Sequence, residues 1–338
     1  MTFWIKHTKA ERVALLQRAE EKFKINQLAL EKDCWVTMVL KALFKCSCSE
    51  NLIFKGGTSL SKGWNLIERF SEDIDLSVNH TFFGIEKTTK NQREKLRKKA
   101  RRYILDVISS ELNANLKSMG IKGYRIENVV ETVDDNGNVT TEASDKDPSV
   151  ILVHYDSILK TTNEYIPPRV KIEISCLSMN EPTEERWISS YVEQTIPGED
   201  DTASATIRTV VPTRTFLEKA FLLCEEFQKK VPRHIRMSRH LYDLERLMDT
   251  EFGKQALEDK DLYQRIVKHR SVYYSIGYVD YNKLMPNVID FIPREELISD
   301  WKSDYSEMSD HFIYGDKLSF EELIGRMKEL QERFRKMD

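Results

Sequence analysis

The chain has 338 residues, 40% hydrophobic and 32% charged, with a formal net charge of −3. That is enough apolar material for a real core in two domains or one elaborated one, and charge alone gives no sign of a basic nucleic-acid coat protein, so any nucleic-acid contact must come from a local patch. No apolar run is long enough to cross a bilayer, and the start Met1-Thr2-Phe3-Trp4-Ile5-Lys6 lacks the basic-then-apolar order of a signal peptide.

The expected location is therefore cytoplasmic. The five cysteines, Cys34, Cys46, Cys48, Cys176 and Cys224, are odd in number and widely spaced. They do not read as a disulfide framework. Cys46-Ser47-Cys48 is too close for a zinc knuckle, and no second pair answers it. Reduced, mostly buried thiols are expected.

In chain order, Glu11 to Lys45 reads as two helices. In the second, Trp35, Met38, Val39, Ala42 and Leu43 recur at helical spacing. Leu52-Ile53-Phe54 is a short strand ended by Gly56-Gly57, and Thr58 or Ser59 can cap a helix through Leu60 to Glu68. Ile74 to Val78 alternates like a strand. A charged helix follows over Lys90 to Lys117. Tyr124 to Thr132 and Val139 to Glu142 read as a hairpin about Asn136-Gly137. Ser149 to Tyr155 and Arg169 to Ser175 are further strands.

Gly198 to Ala205 is an acidic, small-residue loop that marks a boundary. Beyond it the chain is helical, with apolar stripes at Phe216, Leu217, Ala220, Phe221, Leu223, Cys224 and Phe227, at Leu241, Leu244 and Met248, and at Phe320, Leu323, Ile324, Met327 and Leu330. The fold expected is α+β: a mixed-sheet core with N-terminal helices over residues 1–210, then a helical domain over 211–338.

The chemistry starts at Asp73-Ile74-Asp75-Leu76-Ser77-Val78. Strand alternation sends Ile74, Leu76 and Val78 to the core and Asp73 and Asp75 to the other face. Two adjacent carboxylates repel, and a hard cation such as magnesium relieves the cost, with water and phosphate completing its shell. Alone, the pair reads as two surface acids on an edge strand.

Lys55-Gly56-Gly57-Thr58-Ser59-Leu60 changes that weighting. Glycines admit close approach of backbone to ligand, and successive amides at a helix start attract phosphate. The order is not that of a Walker loop. A bare Gly-Gly-Thr-Ser is more often a turn, but followed by Asp-x-Asp on the next strand it is far more specific. In Arg169-Val170-Lys171-Ile172-Glu173-Ile174-Ser175 the alternation puts Lys171, Glu173 and Ser175 on one face, so Glu173 can supply a third carboxylate. Read alone, Lys171 and Glu173 are ordinary surface charges.

Gly56-Gly57-Thr58-Ser59-Leu60-Ser61-Lys62, followed by Arg69-Phe70-Ser71-Glu72-Asp73-Ile74-Asp75-Leu76, resembles the first motif of the AbiEii/AbiGii-type toxin nucleotidyltransferases. These belong to the DNA polymerase β-like nucleotidyltransferase superfamily. Glu31-Lys32-Asp33-Cys34-Trp35 is similar to the lead-in helix of that branch, and Val170-Lys171-Ile172-Glu173-Ile174 to its next motif. Thr215-Phe216-Leu217-Glu218-Lys219-Ala220 and Arg239-His240-Leu241-Tyr242-Asp243-Leu244 resemble the last two. The resemblance spans about residues 30 to 250 and leaves the final ninety or so unmatched.

It implies a nucleotidyltransferase-type sheet, with Gly56, Gly57, Thr58 and Ser59 at a nucleoside triphosphate, Asp73 and Asp75 on Mg2+, and Glu173 as a third ligand. Glu173 stands where an aspartate is common elsewhere. Lys219 would contact phosphate from the helical domain, and Asp243 would complete the catalytic set. The gap between the glycines and Asp73 is longer than in the generic superfamily and suits this branch.

Read from the residues alone, Arg239, Asp243 and Arg246 share a helix face opposite Leu241, Leu244 and Met248 and could be a solvated ion-pair row. Lys219 could likewise extend to solvent from apolar neighbours. His240 is a general-base candidate, though such a histidine more often orders a carboxylate. A basic run holds Lys87, Lys90, Arg93, Lys95, Arg97, Lys98, Lys99, Arg101 and Arg102. Lys90, Arg93, Arg97 and Arg101 could hold an RNA backbone, meet an acidic partner such as a cognate antitoxin, or line a solvated helix.

The function implied is nucleotide transfer from an NTP, with Mg2+, in a toxin–antitoxin or phage-defence system. The tRNA acceptor end is the first choice of acceptor. A protein hydroxyl that is nucleotidylated or phosphorylated is the second, and a non-catalytic nucleotide- or RNA-binding module is the alternative outside enzymology.

Overall fold

A computed structural model describes residues 3–85, 89–133, 137–160, 166–196 and 205–337. The chain forms two compact units, Met1–Gly63 with Ser71–Thr209, and Trp64–Phe70 with Val210–Asp338. The second unit thus takes in a short early segment besides the C-terminal part. Lys87, Asn136 and most of the loop Gly198 to Ala205 lie outside the described residues.

The first unit opens with α1 (Phe3–Lys6), α2 (Lys9–Phe23) and α3 (Gln27–Leu43). Thr8 and Glu11 form a reciprocal capping box at α2, and the Asn26 side chain accepts the Ala29 N–H to start α3. Then come β1 (Leu52–Lys55), α4 (Gly56–Lys62), β2 (Ile74–Val78), α5 (Lys90–Tyr103), α6 (Ser109–Ser118), β3 (Tyr124–Asn128), β4 (Glu131–Val133), β5 (Val139–Thr141), β6 (Ser149–Tyr155), β7 (Arg169–Ser175), β8 (Thr183–Ile188) and β9 (Ala205–Val210). Seven strands form one mixed sheet in the order β3-β6-β7-β2-β1-β9-β8. Strand β2 runs antiparallel to β1 and parallel to β7. This is the α+β, mixed-sheet class read from the sequence.

Three local expectations change. The charged helix is interrupted by a π-helical turn, Ile104–Ile108, between α5 and α6. The hairpin is confined to β4 and β5, because β3 is drawn into the main sheet as the partner of β6. The helix after the glycines starts at Gly56 and ends at Lys62, not Glu68. Neither hydroxyl caps it: Thr58 donates to the Asp73 carbonyl, and Ser59 to the Gly56 carbonyl 2.8 Å away. Strands β8 and β9 were not expected: β8 lacks the alternation of a half-buried strand, whereas β9 has it, with Ile207 and Thr209 buried and Thr206 and Arg208 more exposed.

The second unit holds α7 (Pro212–Glu226), α8 (Ser238–Met248), α9 (Glu251–Glu258), α10 (Lys260–His269), α11 (Ile298–His311) and α12 (Phe320–Arg335). Pro212 sits in the first turn of α7, where no donor is lost. The stripes expected on α7, α8 and α12 make the core: Phe216, Leu217, Phe221, Leu244, Met327 and Leu330 are all fully buried, and Phe334 joins them. Phe334 stacks on Phe216 with ring centroids 5.8 Å apart. The five cysteines are free and buried. Among the described residues no helix is long and apolar enough to cross a membrane.

Candidate active site

Register builds the carboxylate face. Asp75 pairs in register with Lys55 of β1 on one side and Glu173 of β7 on the other. Cross-strand partners point to the same face. Lys55, Asp75 and Glu173 therefore stand in a row, all half-buried, while Ile74, Leu76, Ile172 and Ile174 are buried on the other side. Asp73, just before β2, is half-buried too. Lys171 follows the same alternation and bonds Glu173 at 2.7 Å. Although burial opposes it, the Glu173 carboxylate and the charges of Asp73 and Asp75 hold the Lys171 ammonium above its ordinary value. The lysine thus senses all three acids at once.

Gly56 is where the glycine turn meets this row. Its φ of +78° is left-handed, and a Cβ there would run into the Asp75 carboxylate. Only glycine lets that backbone lie against Asp75. The Thr58 hydroxyl, bonded to the carbonyl of Asp73, ties α4 to the start of the aspartate strand. Glycine turn and aspartate pair are thus one packed structure.

Beneath lies α3, buried even at its charged positions. Glu31 accepts the Ser157 hydroxyl at 2.6 Å and the Ile158 N–H at 2.8 Å. Burial nevertheless pushes the Glu31 carboxyl up, against those bonds. Lys32 pairs with Glu72 at 2.6 Å, and Asp33 pairs with Lys62 and accepts the Tyr191 N–H at 2.8 Å. Trp35 stacks on Tyr155 at 4.8 Å. Lys32 and Asp33 thereby hold the residue before Asp73 and the last residue of α4. These anchors had no role in the sequence reading. The signal available was three consecutive charges inside an otherwise apolar helix.

In the second unit Lys219 and Asp243 come together, and both are buried. This corrects the picture of a solvated ion-pair row: Asp243 has no exposure and its partners are neither Arg239 nor Arg246. The Arg69 fork takes both its oxygens at 2.7 Å, and the Lys219 ammonium shares one of them at 2.7 Å. Nor does Lys219 extend to solvent. Burial would push the Asp243 carboxyl up, but Arg69 and then Lys219 hold it far below the carboxylate range. Burial pushes Lys219 down. His240 beside them is lowered well below the histidine range, first by burial and then by Lys219 and Arg239, so its ring is neutral at pH 7. Arg246 instead bonds Glu68 at 3.2 Å. Arg69 belongs to the first motif, and its local sequence does not announce Asp243 as its partner.

The family model described as "Nucleotidyl transferase AbiEii toxin, Type IV TA system" matches residues 39–326, well over half of the chain. The chain belongs to this family. It is a toxin nucleotidyltransferase of the type IV toxin–antitoxin class, and the match takes in most of the C-terminal residues that the sequence reading left unmatched. No curated relative matches the chain. Among solved structures it is similar to MenT4, a nucleotidyltransferase toxin from Mycobacterium tuberculosis H37Rv. The identity is 14% and the TM-score 0.45, over 97% of this chain and 98% of that one.

The AbiEii family implies an NTP substrate and an antitoxin partner, and its enzymes generally use a divalent metal. Among the described residues no group of three or more His, Cys, Asp or Glu side chains is arranged to hold a metal. Asp73, Asp75 and Glu173 are thus not drawn into a three-carboxylate cage, and Glu173 is engaged by Lys171. Two hard carboxylates still fit magnesium, which takes one or two from protein and the rest from phosphate and water.

The basic run of this AbiEii toxin is partly spent on structure. Arg101 is buried against Glu142 at 2.9 Å, and Arg97 bonds Asp145 at 3.2 Å through Nε. Lys90, Lys95, Lys98, Lys99 and Arg102 are exposed, though Lys98 pairs with Glu94 at 2.7 Å. Arg93 is half-buried.

Proposed function

We propose that this toxin transfers a nucleotide from an NTP to an RNA hydroxyl, with the tRNA acceptor end as the first candidate. The observation that carries the reading is Asp75, packed against Gly56 and in register with Glu173, in a chain of the AbiEii family. Asp73 and Asp75 would hold Mg2+, with Glu173 close by on the next strand.

Magnesium, when bound, would neutralise phosphate charge and align the attacking and leaving oxygens. The Gly56-Gly57-Thr58-Ser59 turn would receive the triphosphate on its backbone amides, because the Thr58 and Ser59 hydroxyls are buried and already donated to the Asp73 and Gly56 carbonyls. Glu173 is the candidate to take the acceptor proton, with Lys171 balancing its charge while no metal is present. Lys219 is the phosphate contact of the second unit, and Asp243 its orienting partner. Catalysis by such a set is chiefly positioning and charge neutralisation.

The test incubates purified protein with each labelled NTP, Mg2+ and total RNA. A labelled RNA band that vanishes in Asp73→Ala supports the reading. A labelled protein band would move the acceptor to protein, and nucleotide retained without transfer would make the chain a binding module. Undiminished transfer by a folded Asp73→Ala variant would sink the assignment. A cytoplasmic location and a cognate antitoxin fit this role, and co-expression with the neighbouring gene tests the latter.

A further inference from the structure

Asp243 has one negative charge and two buried cations on it. Arg69 is 5% exposed, Lys219 7% and Asp243 0%. The Arg69 fork bonds Oδ1 through Nε and Oδ2 through Nη2, both at 2.7 Å, so the better-oriented share of the carboxylate goes to arginine. Lys219 holds only a shared Oδ2, at 2.7 Å. One unit of positive charge is left over in a dry environment, where charge is costly unless an anion meets it. Arg239 and a neutral His240 also act on Lys219, and neither is an anion.

Arg69 is also gripped along its backbone. It bridges antiparallel to Ile313, Phe70 N–H donates to the Phe312 carbonyl at 2.7 Å, and Tyr314 N–H donates to the Glu68 carbonyl at 3.0 Å. Glu68 N–H donates to the Tyr242 hydroxyl at 3.3 Å, and a Cβ at Gly315 would collide with the Glu68 side chain. An arginine held at both ends is a fixed part of the unit.

The geometry points to Arg69 as a positioning residue for phosphate recognition: by taking both oxygens of Asp243 it leaves Lys219 only a share of one, so the Lys219 ammonium can also meet the phosphates of a nucleoside triphosphate. Without Arg69, Asp243 would neutralise Lys219 completely. This rests on Lys219 as the phosphate contact. The full-length protein carrying 13Cε-labelled lysine is titrated by NMR, with Lys219 assigned through Lys219→Arg, and inorganic triphosphate binding is measured by calorimetry.

In Arg69→Gln the Lys219 midpoint should rise by about one pH unit or more, because a neighbouring cation has gone and Asp243 turns wholly to the lysine. Triphosphate affinity should fall about tenfold, the loss of one charge-assisted contact. An unchanged midpoint or an unchanged affinity overturns the inference. Should that variant fail to fold, Arg69→Lys decides. It retains the charge but not the fork, so the midpoint should stay near native while triphosphate binding weakens several-fold; native affinity overturns the inference. Absence of nucleotide transfer by the native protein would defeat the proposed reaction and leave both readouts for Arg69 intact.

Discussion

Gly56 is the position at which one methyl group separates backbone strain from site geometry. In Gly56→Ala the new Cβ meets the Asp75 carboxylate, and the residue must also hold φ at +78°. The left-handed conformation costs a non-glycine residue about 1–2 kcal/mol. Forcing a methyl into packed space adds about 1–3 kcal/mol. The sum, roughly 2–5 kcal/mol, is below the ~5–15 kcal/mol stability of a typical native protein, so the fold should survive.

Gly84 supplies the control, with φ at +66° and nothing within 4 Å of its Cβ. Gly84→Ala isolates the strain, and the difference between the two variants in urea unfolding is the cost of the Asp75 contact. Displacing Asp75 by about 1 Å should lower labelled-nucleotide transfer by about 10²-fold. In Gly56→Ala/Asp75→Gly the collision is removed, so stability should recover toward the strain-only value while transfer stays lost. Equal stability of Gly56→Ala and Gly84→Ala, with activity retained in the former, would refute the idea that Gly56 is required by Asp75.

The second unit should be acid-sensitive in two windows. His240 has a lowered folded pKa, so its contribution is complete above the unfolded value of about 6.5 and is lost as pH falls below it; His240→Gln should flatten unfolding free energy between pH 7 and 5. Asp243 is also lowered, so its contribution is complete above about pH 4 and is lost in stronger acid, a slope that Asp243→Asn should remove. In the first unit Lys32→Met should cost about 3–5 kcal/mol by stranding the buried Glu72 carboxylate, and Lys32→Met/Glu72→Leu should cost less than the single change, as thermal or urea unfolding would show. Arg101→Gln should destabilise on the same scale with little effect on RNA binding, because Arg101 is buried against Glu142. If α5 does carry RNA, Lys95→Glu and Arg102→Glu should instead reduce the salt dependence of binding measured by filter retention.

How much was legible follows from the range over which each feature acts. The strand alternation of Ile74 to Val78 and Arg169 to Ser175 is local, and burial there follows the period of two except at Ser77 and Ser175, which are buried. The apolar stripes of α3, α7 and α12 are equally local. What was not legible depends on partners far along the chain. Arg69 and Asp243 are 174 positions apart, and nothing near either residue announces the other. The charges at Glu31, Lys32 and Asp33 have no legible role because a lone sequence does not show that Ser157, Glu72 and Lys62 arrive to meet them. The helix start was misplaced for another reason: Gly56 begins α4 from a left-handed φ, so the hydroxyls of Thr58 and Ser59 were free for other bonds.

The interval between the glycines and Asp73 has a physical use. Within it Trp64–Phe70 belongs to the second unit. That segment is not slack. Trp64 donates its indole N–H to the Val210 carbonyl at 3.0 Å and packs edge-on to Phe252 at 5.1 Å, while Phe70 bonds the Phe312 carbonyl at its other end. Chain continuity then does what a side chain alone does not. Gly63 on one side closes the glycine helix, and Ser71 on the other opens the stretch whose Asp73 carbonyl receives the Thr58 hydroxyl. Arg69 lies in the pinned segment between them, so the residue that sets the charge on Lys219 is joined through four positions of backbone to the first aspartate. The interval lets one stretch of chain carry both the carboxylate face and the partner of Asp243.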